Sequence, residues 1–139
     1  MSTVQDAIAA IQDIALTLTG IRAAPDYAPD KLPPLPAVIT YPARGNFEGL
    51  GGAGYSHDEH TIYSEFHIAR KDLARDLATL IPFIDTFRNA IVAVPLLSNT
   101  VTSILFPVEY EILEREIGIG NKTLALRFII RIKQNNVLT

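Results

Sequence analysis

The residues best equipped for chemistry stand in one run, GGAGYSHDEHTIYSEFHIARKD. It holds every histidine of the chain, His57, His60 and His67, with Asp58, Glu59 and Glu65 among them. Imidazoles and carboxylates at close quarters ligate zinc or pass protons. A tight zinc site needs three or four such ligands converging at about 2.0–2.3 Å. From about His57 to Ala69, however, apolar and polar residues alternate with the period of a strand. Successive side chains of a strand leave opposite faces, so His57 and His60 diverge, as do His60 and His67. His57 and His67 share a parity but lie about 33 Å apart along an extended chain. A metal site here needs irregular backbone at His57, or ligands from elsewhere, including another subunit. Ser56, Ser64, Ser98 and Ser103 sit in no nucleophile-elbow context. With no cysteine, thiol nucleophiles, thiolate metal sites and disulfides are excluded. The residues make no positive case for catalysis, and no cofactor or metal is expected.

The elements that must position these residues read as α-β-β-α-β-β. Val4, Ala7, Ile8, Ile11, Ala15 and Leu18 recur at helical steps, with Thr3 and Asp6 as a capping box and Gly20 as a stop. Five prolines between Pro25 and Pro36 then exclude a helix and favour an extended connector. Ala37 to Pro42 is a short β-branched strand. The stretch ARGNFEGLGGAGY follows, and its glycines predict a mobile loop. A backbone phosphate cradle there would need a helix next, and the next element reads as a strand. In that strand Ile62, Ser64, Phe66 and Ile68 share one face, and Thr61, Tyr63, Glu65 and His67 the other.

A helix over RKDLARDLATLIPFIDTFRNAIVAV is expected to bury Leu73, Leu77, Leu80, Ile81, Ile84, Phe87 and Ile91. Asp72 is its N-cap, and Asp72, Arg75, Asp76, Thr79 and Arg88 lie outside the stripe. Pro82 should kink or break it. Two final strands flank the turn GIGN. Leu124, Leu126, Phe128, Ile130 and Ile132 alternate inward, against Arg127, Arg131 and Lys133. In the partner strand a parity flip after Ile112 suggests a β-bulge, and Pro107 needs an edge or an irregularity. The acidic face of that strand, Glu109 and Glu111, should lie beside the basic face of the other. The fold class is α+β: a single domain over 1–139, an antiparallel sheet with helices packed on one face.

The 139 residues are 48% hydrophobic and 19% charged, which excludes a disordered chain. A net charge of −3 gives no electrostatic footprint for gripping nucleic acid. The N-terminus lacks the basic leader of a signal peptide, and no stretch approaches the roughly 18 apolar residues of a membrane span. A cytoplasmic site of synthesis is expected.

The segment EHTIYSEFHIARKDLARDLATLIPFIDTFRNAI resembles the tail terminator proteins of long-tailed bacteriophages, in which such a strand runs into a helix patterned LxxLIPFIDxFxxA. The closing FPVEYEILEREIGIGNKTLALRFIIRIK is similar to that family's C-terminal hairpin. With the opening helix and connector, the resemblance spans nearly the whole chain. It implies a non-enzymatic virion protein at the head-proximal end of the tail, assembled in the host cytoplasm. Such proteins form a homohexameric ring that caps the tail tube, ends its polymerisation and presents the head-joining surface. The implied partners are the chain itself, the tail tube protein and the head-tail connector, and DNA passes through the lumen without specific binding. A ring of this kind closes through heterologous contacts, to which strand edges and loops contribute. Arg44, Phe47, Glu48, Leu50, Tyr55, Asp58 and Glu59 are the expected oligomer or tube interface, because Phe47, Leu50 and Tyr55 have little local core to join. A solvated hairpin loop is the plain alternative. Other readings are a head-tail connector protein, a small metal-dependent enzyme using His57, His60 and His67, and a peptide-binding α+β domain.

Overall fold

The structure, a computed structural model, describes residues 3–49 and 55–137. Helix α1 (Val4–Leu16) is followed by strands β1 (Ala37–Gly49) and β2 (Tyr55–Ala69). Helices α2 (Leu73–Leu80) and α3 (Pro82–Ala93) and strands β3 (Ser103–Glu116) and β4 (Lys122–Val137) complete the chain. This is the α+β domain that the periodicity predicts, with the second helix divided in two.

Local chemistry sets the helix boundaries. At α1 the Thr3 hydroxyl accepts from the Asp6 amide at 3.1 Å, and the Asp6 carboxylate accepts from the Thr3 amide at 2.8 Å. Two of the free amide donors at the helix start are thereby satisfied. Beyond the helix end Gly20 takes φ +95°, a left-handed conformation that favours glycine. Asp72 caps α2 by accepting from the Arg75 amide. Pro82 is the first residue of α3, where its missing N–H costs nothing, so the long predicted helix breaks at Ile81.

The sheet is antiparallel with strand order β1-β2-β4-β3. Ile62, Phe66, Leu124, Leu126, Ile130 and Ile132 are buried beneath the helices with Ala7, Ile8 and Ile11 of α1. Phe66 lies at their centre, with ring centroids of Phe83, Phe87 and Phe128 at 5.3, 5.0 and 5.6 Å. These tilted and edge-on arrangements suit the quadrupole of aromatic rings. A small polar cluster of Gln12, Thr40 and Ser64 is buried in this layer, with the Thr40 and Ser64 hydroxyls 2.9 Å apart. The buried Gln12 amide donates to the carbonyls of Val38 (2.7 Å) and Pro25 (2.9 Å), while its oxygen accepts from the Thr40 hydroxyl. Gln12 thereby ties α1 to both the proline-rich connector and β1.

Four expectations are corrected. The glycine-rich stretch is not a loop from Ala43 onward, because β1 continues to Gly49 in register with β2. Arg44, Asn46 and Glu48 alternate with Gly45, Phe47 and Gly49, and the ladder hydrogen bonds outweigh the glycines' conformational entropy. Gly51, Gly52 and Gly54 fall outside the described residues. In the helical stripe Leu73, the first residue of α2, and Ile81, between the two helices, are each 48% exposed, whereas Phe83 is buried. Asp76, expected at the surface, is buried and accepts from the Lys71 amide (2.8 Å) and Arg70 (3.2 Å). Finally, the irregularity of β3 lies between Leu105 and Glu109, while pairing runs unbroken through Ile112 to Glu116. Pro107 has no N–H to give the ladder, so the break falls there. The apolar parity switches at Leu113 because Leu113 and Ala125 pair on the opposite face of the sheet.

Candidate functional site

Strand register builds the site on the face of the sheet opposite the helices. On β2 this face carries Thr61, Tyr63, Glu65 and His67, as the alternation predicts. The chemical run of the sequence therefore does not decorate a sheet edge. Strand β2 is internal, between β1 and β4. Ile39, Glu65, Arg127 and Glu111 stand abreast on the four strands.

Glu65, 1% exposed, is the hub. Its Oε2 accepts from the Tyr41 hydroxyl at 2.6 Å and Arg127 Nε at 2.8 Å, with an Arg115 guanidinium nitrogen at 3.5 Å. Its Oε1 lies 3.0 Å from His67 Nε2, and His67 Nδ1 lies 2.8 Å from the Thr123 hydroxyl. Arg127 also donates to Glu111 at 2.8 Å and stacks over the Tyr63 ring, 4.5 Å from its centroid. Burial by itself would raise the Glu65 pKa. Hydrogen bonds from His67, Tyr41 and Arg127 and the Arg115 charge outweigh it and hold the carboxyl at about 2. The Tyr41 pKa is raised, by burial first and then by Glu65. A cavity of about 400 Å³ opens beside this hub, between Pro29 and Asp30 of the connector and Ile117 and Gly118 of the β3–β4 turn.

A carboxylate held at about 2 is a poor proton acceptor near neutral pH, where a general base is best matched to the medium. Both ring nitrogens of His67 are already engaged. The arrangement joins four strands through charge-assisted hydrogen bonds, and its chemistry is that of a fastener. The structure also keeps the three histidines apart. They lie on β2 opposite Asn135, Ile132 and Ala125 respectively. Among the described residues no group of three or more histidine, aspartate or glutamate side chains is placed to hold a metal ion.

The expected interface residues are gathered on the outer part of the β1–β2 hairpin. Arg44 pairs with Thr61, Asn46 with Glu59, Phe47 with Asp58 and Glu48 with His57. Phe47 is 80% exposed. Leu50 lies outside the described residues, and of Tyr55 only the backbone, opposite Val137, is described. A second apolar surface was not foreseen. A groove of about 200 Å³ runs between α3 and β3, lined by Ile84, Ile91, Phe106, Val108, Tyr110 and Phe128. Its rim leaves Val92, Phe106 and Tyr110 more than half exposed. The signal for it was the apolar alternation of Phe106, Val108, Tyr110 and Ile112. Nothing in the sequence shows that the helices stop short of β3. The Tyr41–Glu65–Arg127 hub was equally hidden, since those residues meet only through the strand order.

Compared with known proteins, the chain matches no family model and no curated protein. Among the described residues no helix is long and apolar enough to cross a membrane.

Proposed function

We propose that this chain is a subunit of a homo-oligomeric ring that caps a phage tail tube, ends its polymerisation and offers a surface for head joining. The observation that carries the reading is an exposed apolar groove at one edge of the sheet, with a single exposed aromatic residue at the other. On the β3 edge lies the groove with Phe106 and Tyr110, and on the β1 edge stands Phe47. Contiguous exposed apolar surface is characteristic of interaction sites. A head-to-tail contact needs two different surfaces on each subunit, and repeated rotation then closes a ring. The likeness of the strand-helix junction and the final hairpin to tail terminators supplies the tube as the partner. In this reading the Glu65 hub stiffens the sheet and takes part in no turnover.

Native mass spectrometry of the purified protein, with and without tail tube protein, tests the proposal. A sixfold mass, alone or on the tube, with no bound metal is expected. A chain that stays monomeric beside assembled tubes and leaves their growth unchanged would overturn it. So would a monomer or dimer carrying one zinc per chain. Binding to the portal side but not to the tube would move the assignment to a connector.

A further inference from the structure

Outward from the Glu65 hub, the same face carries a second row with different electrostatics. Arg44, Thr61 and Arg131 stand abreast on β1, β2 and β4. Adjacent strands lie about 4.8 Å apart, so the two arginine backbones are separated by about 10 Å with Thr61 midway. A cavity of about 350 Å³ opens over this row, lined by these three residues with Gly45, Asn46 and Glu59.

Three features mark the row as a ligand site. Thr61 is only 8% exposed, yet its hydroxyl makes no hydrogen bond among the described residues while it faces the cavity. Arg44 and Arg131 form no ion pair among the described residues, whereas on the same face Arg115 pairs with Glu65 and Arg127 with Glu65 and Glu111. Lys133 follows on the same face of β4, opposite Glu59, and it too forms no ion pair among the described residues. Arg44, Arg131 and Lys133 thus gather on one part of this face, with Glu59 beside them and Glu48 and Glu109 one row beyond. Glu59 lines the cavity but stands in the next row, between Asn46 and Lys133.

We infer that Arg44, Thr61 and Arg131 form a binding site for a phosphate group. The planar fork of a guanidinium matches phosphate oxygens in pairs. A phosphate monoester offers three unesterified oxygens in a tetrahedral array to two opposed forks and the hydroxyl between them, and a diester offers two. The donors are strand side chains, so this is not the backbone cradle of a glycine-rich loop. The phosphate belongs either to a small molecule or to a nucleic-acid backbone, and the cavity is larger than one phosphate group requires.

Calorimetric titration with inorganic phosphate, with acetate as control, and anisotropy of a labelled DNA duplex at low and high salt test the site. Saturable phosphate binding that acetate does not reproduce is expected. Arg44→Gln and Arg131→Gln should each weaken it at least about tenfold, since a hydrogen bond to a charged group is lost. Thr61→Val should weaken it by a smaller factor. Phosphate binding without duplex binding would support a small-molecule ligand. Duplex binding that competes with phosphate and falls with salt would support the backbone. Absence of binding to both probes, equal binding of acetate, or binding unchanged in both arginine variants would overturn the inference. The site lies within one chain, so its test is independent of the ring. Loss of oligomer mass in Arg44→Gln, with no phosphate binding by the unsubstituted protein, would assign the arginines to a neighbour's carboxylates and also overturn it.

Discussion

Replacing Glu65 by glutamine removes the charge on which the helix-free face is organised, while keeping the shape. The carboxylate accepts from Tyr41 and Arg127, contacts His67, and has Arg115 at 3.5 Å. A glutamine amide keeps one acceptor oxygen, carries no charge to hold Arg127 and Arg115, and puts an NH2 group where the second carboxylate oxygen stood. The size of the effect follows from linkage. An ordinary glutamate titrates near about 4.3, and Glu65 is held at about 2. Two units or slightly more correspond to about 3 kcal/mol of stability at neutral pH. Arg115 is more than a third exposed, so solvent screening trims this to about 2–3 kcal/mol. The direction in pH is fixed, because a depressed folded-state pKa stabilises above the unfolded value. That contribution declines as pH falls from the unfolded value near about 4.3 toward the folded value. Urea unfolding of the original protein and of Glu65→Gln, from pH 7 down to pH 3, reads both quantities. The stability gap should be about 2–3 kcal/mol at pH 7 and should narrow as the pH drops below about 4. A gap under about 1 kcal/mol at pH 7, or one that stays constant across the acid range, would refute the reasoning.

Two further substitutions probe the same architecture. Tyr41→Phe removes the hydroxyl that donates to Glu65 at 2.6 Å. It should cost about 1.5–3 kcal/mol, the range for a hydrogen bond to a charged group, measured as a shift in urea midpoint. Because the Tyr41 pKa is raised, its contribution holds below the ordinary tyrosine range and disappears as pH rises through the shifted value. An ultraviolet titration should accordingly show one tyrosine ionising late, and that step should vanish in Tyr41→Phe. Gly45→Ala would place a Cβ 2.7 Å from both the Glu59 carbonyl oxygen and His60 Nδ1. The backbone must move, so a loss of about 1–3 kcal/mol is expected by thermal unfolding. An unchanged transition would show that the outer β1–β2 pairing is loose.

Much of the fold was legible because it rests on local rules. The capping box of Thr3 and Asp6, the Asp72 cap and the break at Pro82 each follow from backbone groups a few residues apart. Period-two alternation put Ile62, Phe66 and Ile68 on one face of β2, and the five apolar residues Leu124 to Ile132 on one face of β4. Charge patterning even anticipated Glu111 beside Arg127. Alternation says which residues share a face, but it does not say which strands are neighbours. Only the order β1-β2-β4-β3 brings Tyr41, Glu65 and Arg127 to one point, and only it sets Arg44 and Arg131 on either side of Thr61. Composition likewise marked Gly45 and Gly49 for a loop. The ladder to β2 made them strand, because hydrogen bonds to a distant segment outweigh a residue's intrinsic preference. Side-chain periodicity and capping were thus fixed by covalent order. The hub, the paired arginines and the uncovered groove at β3 arise between segments far apart in sequence, and only the packed sheet could decide them.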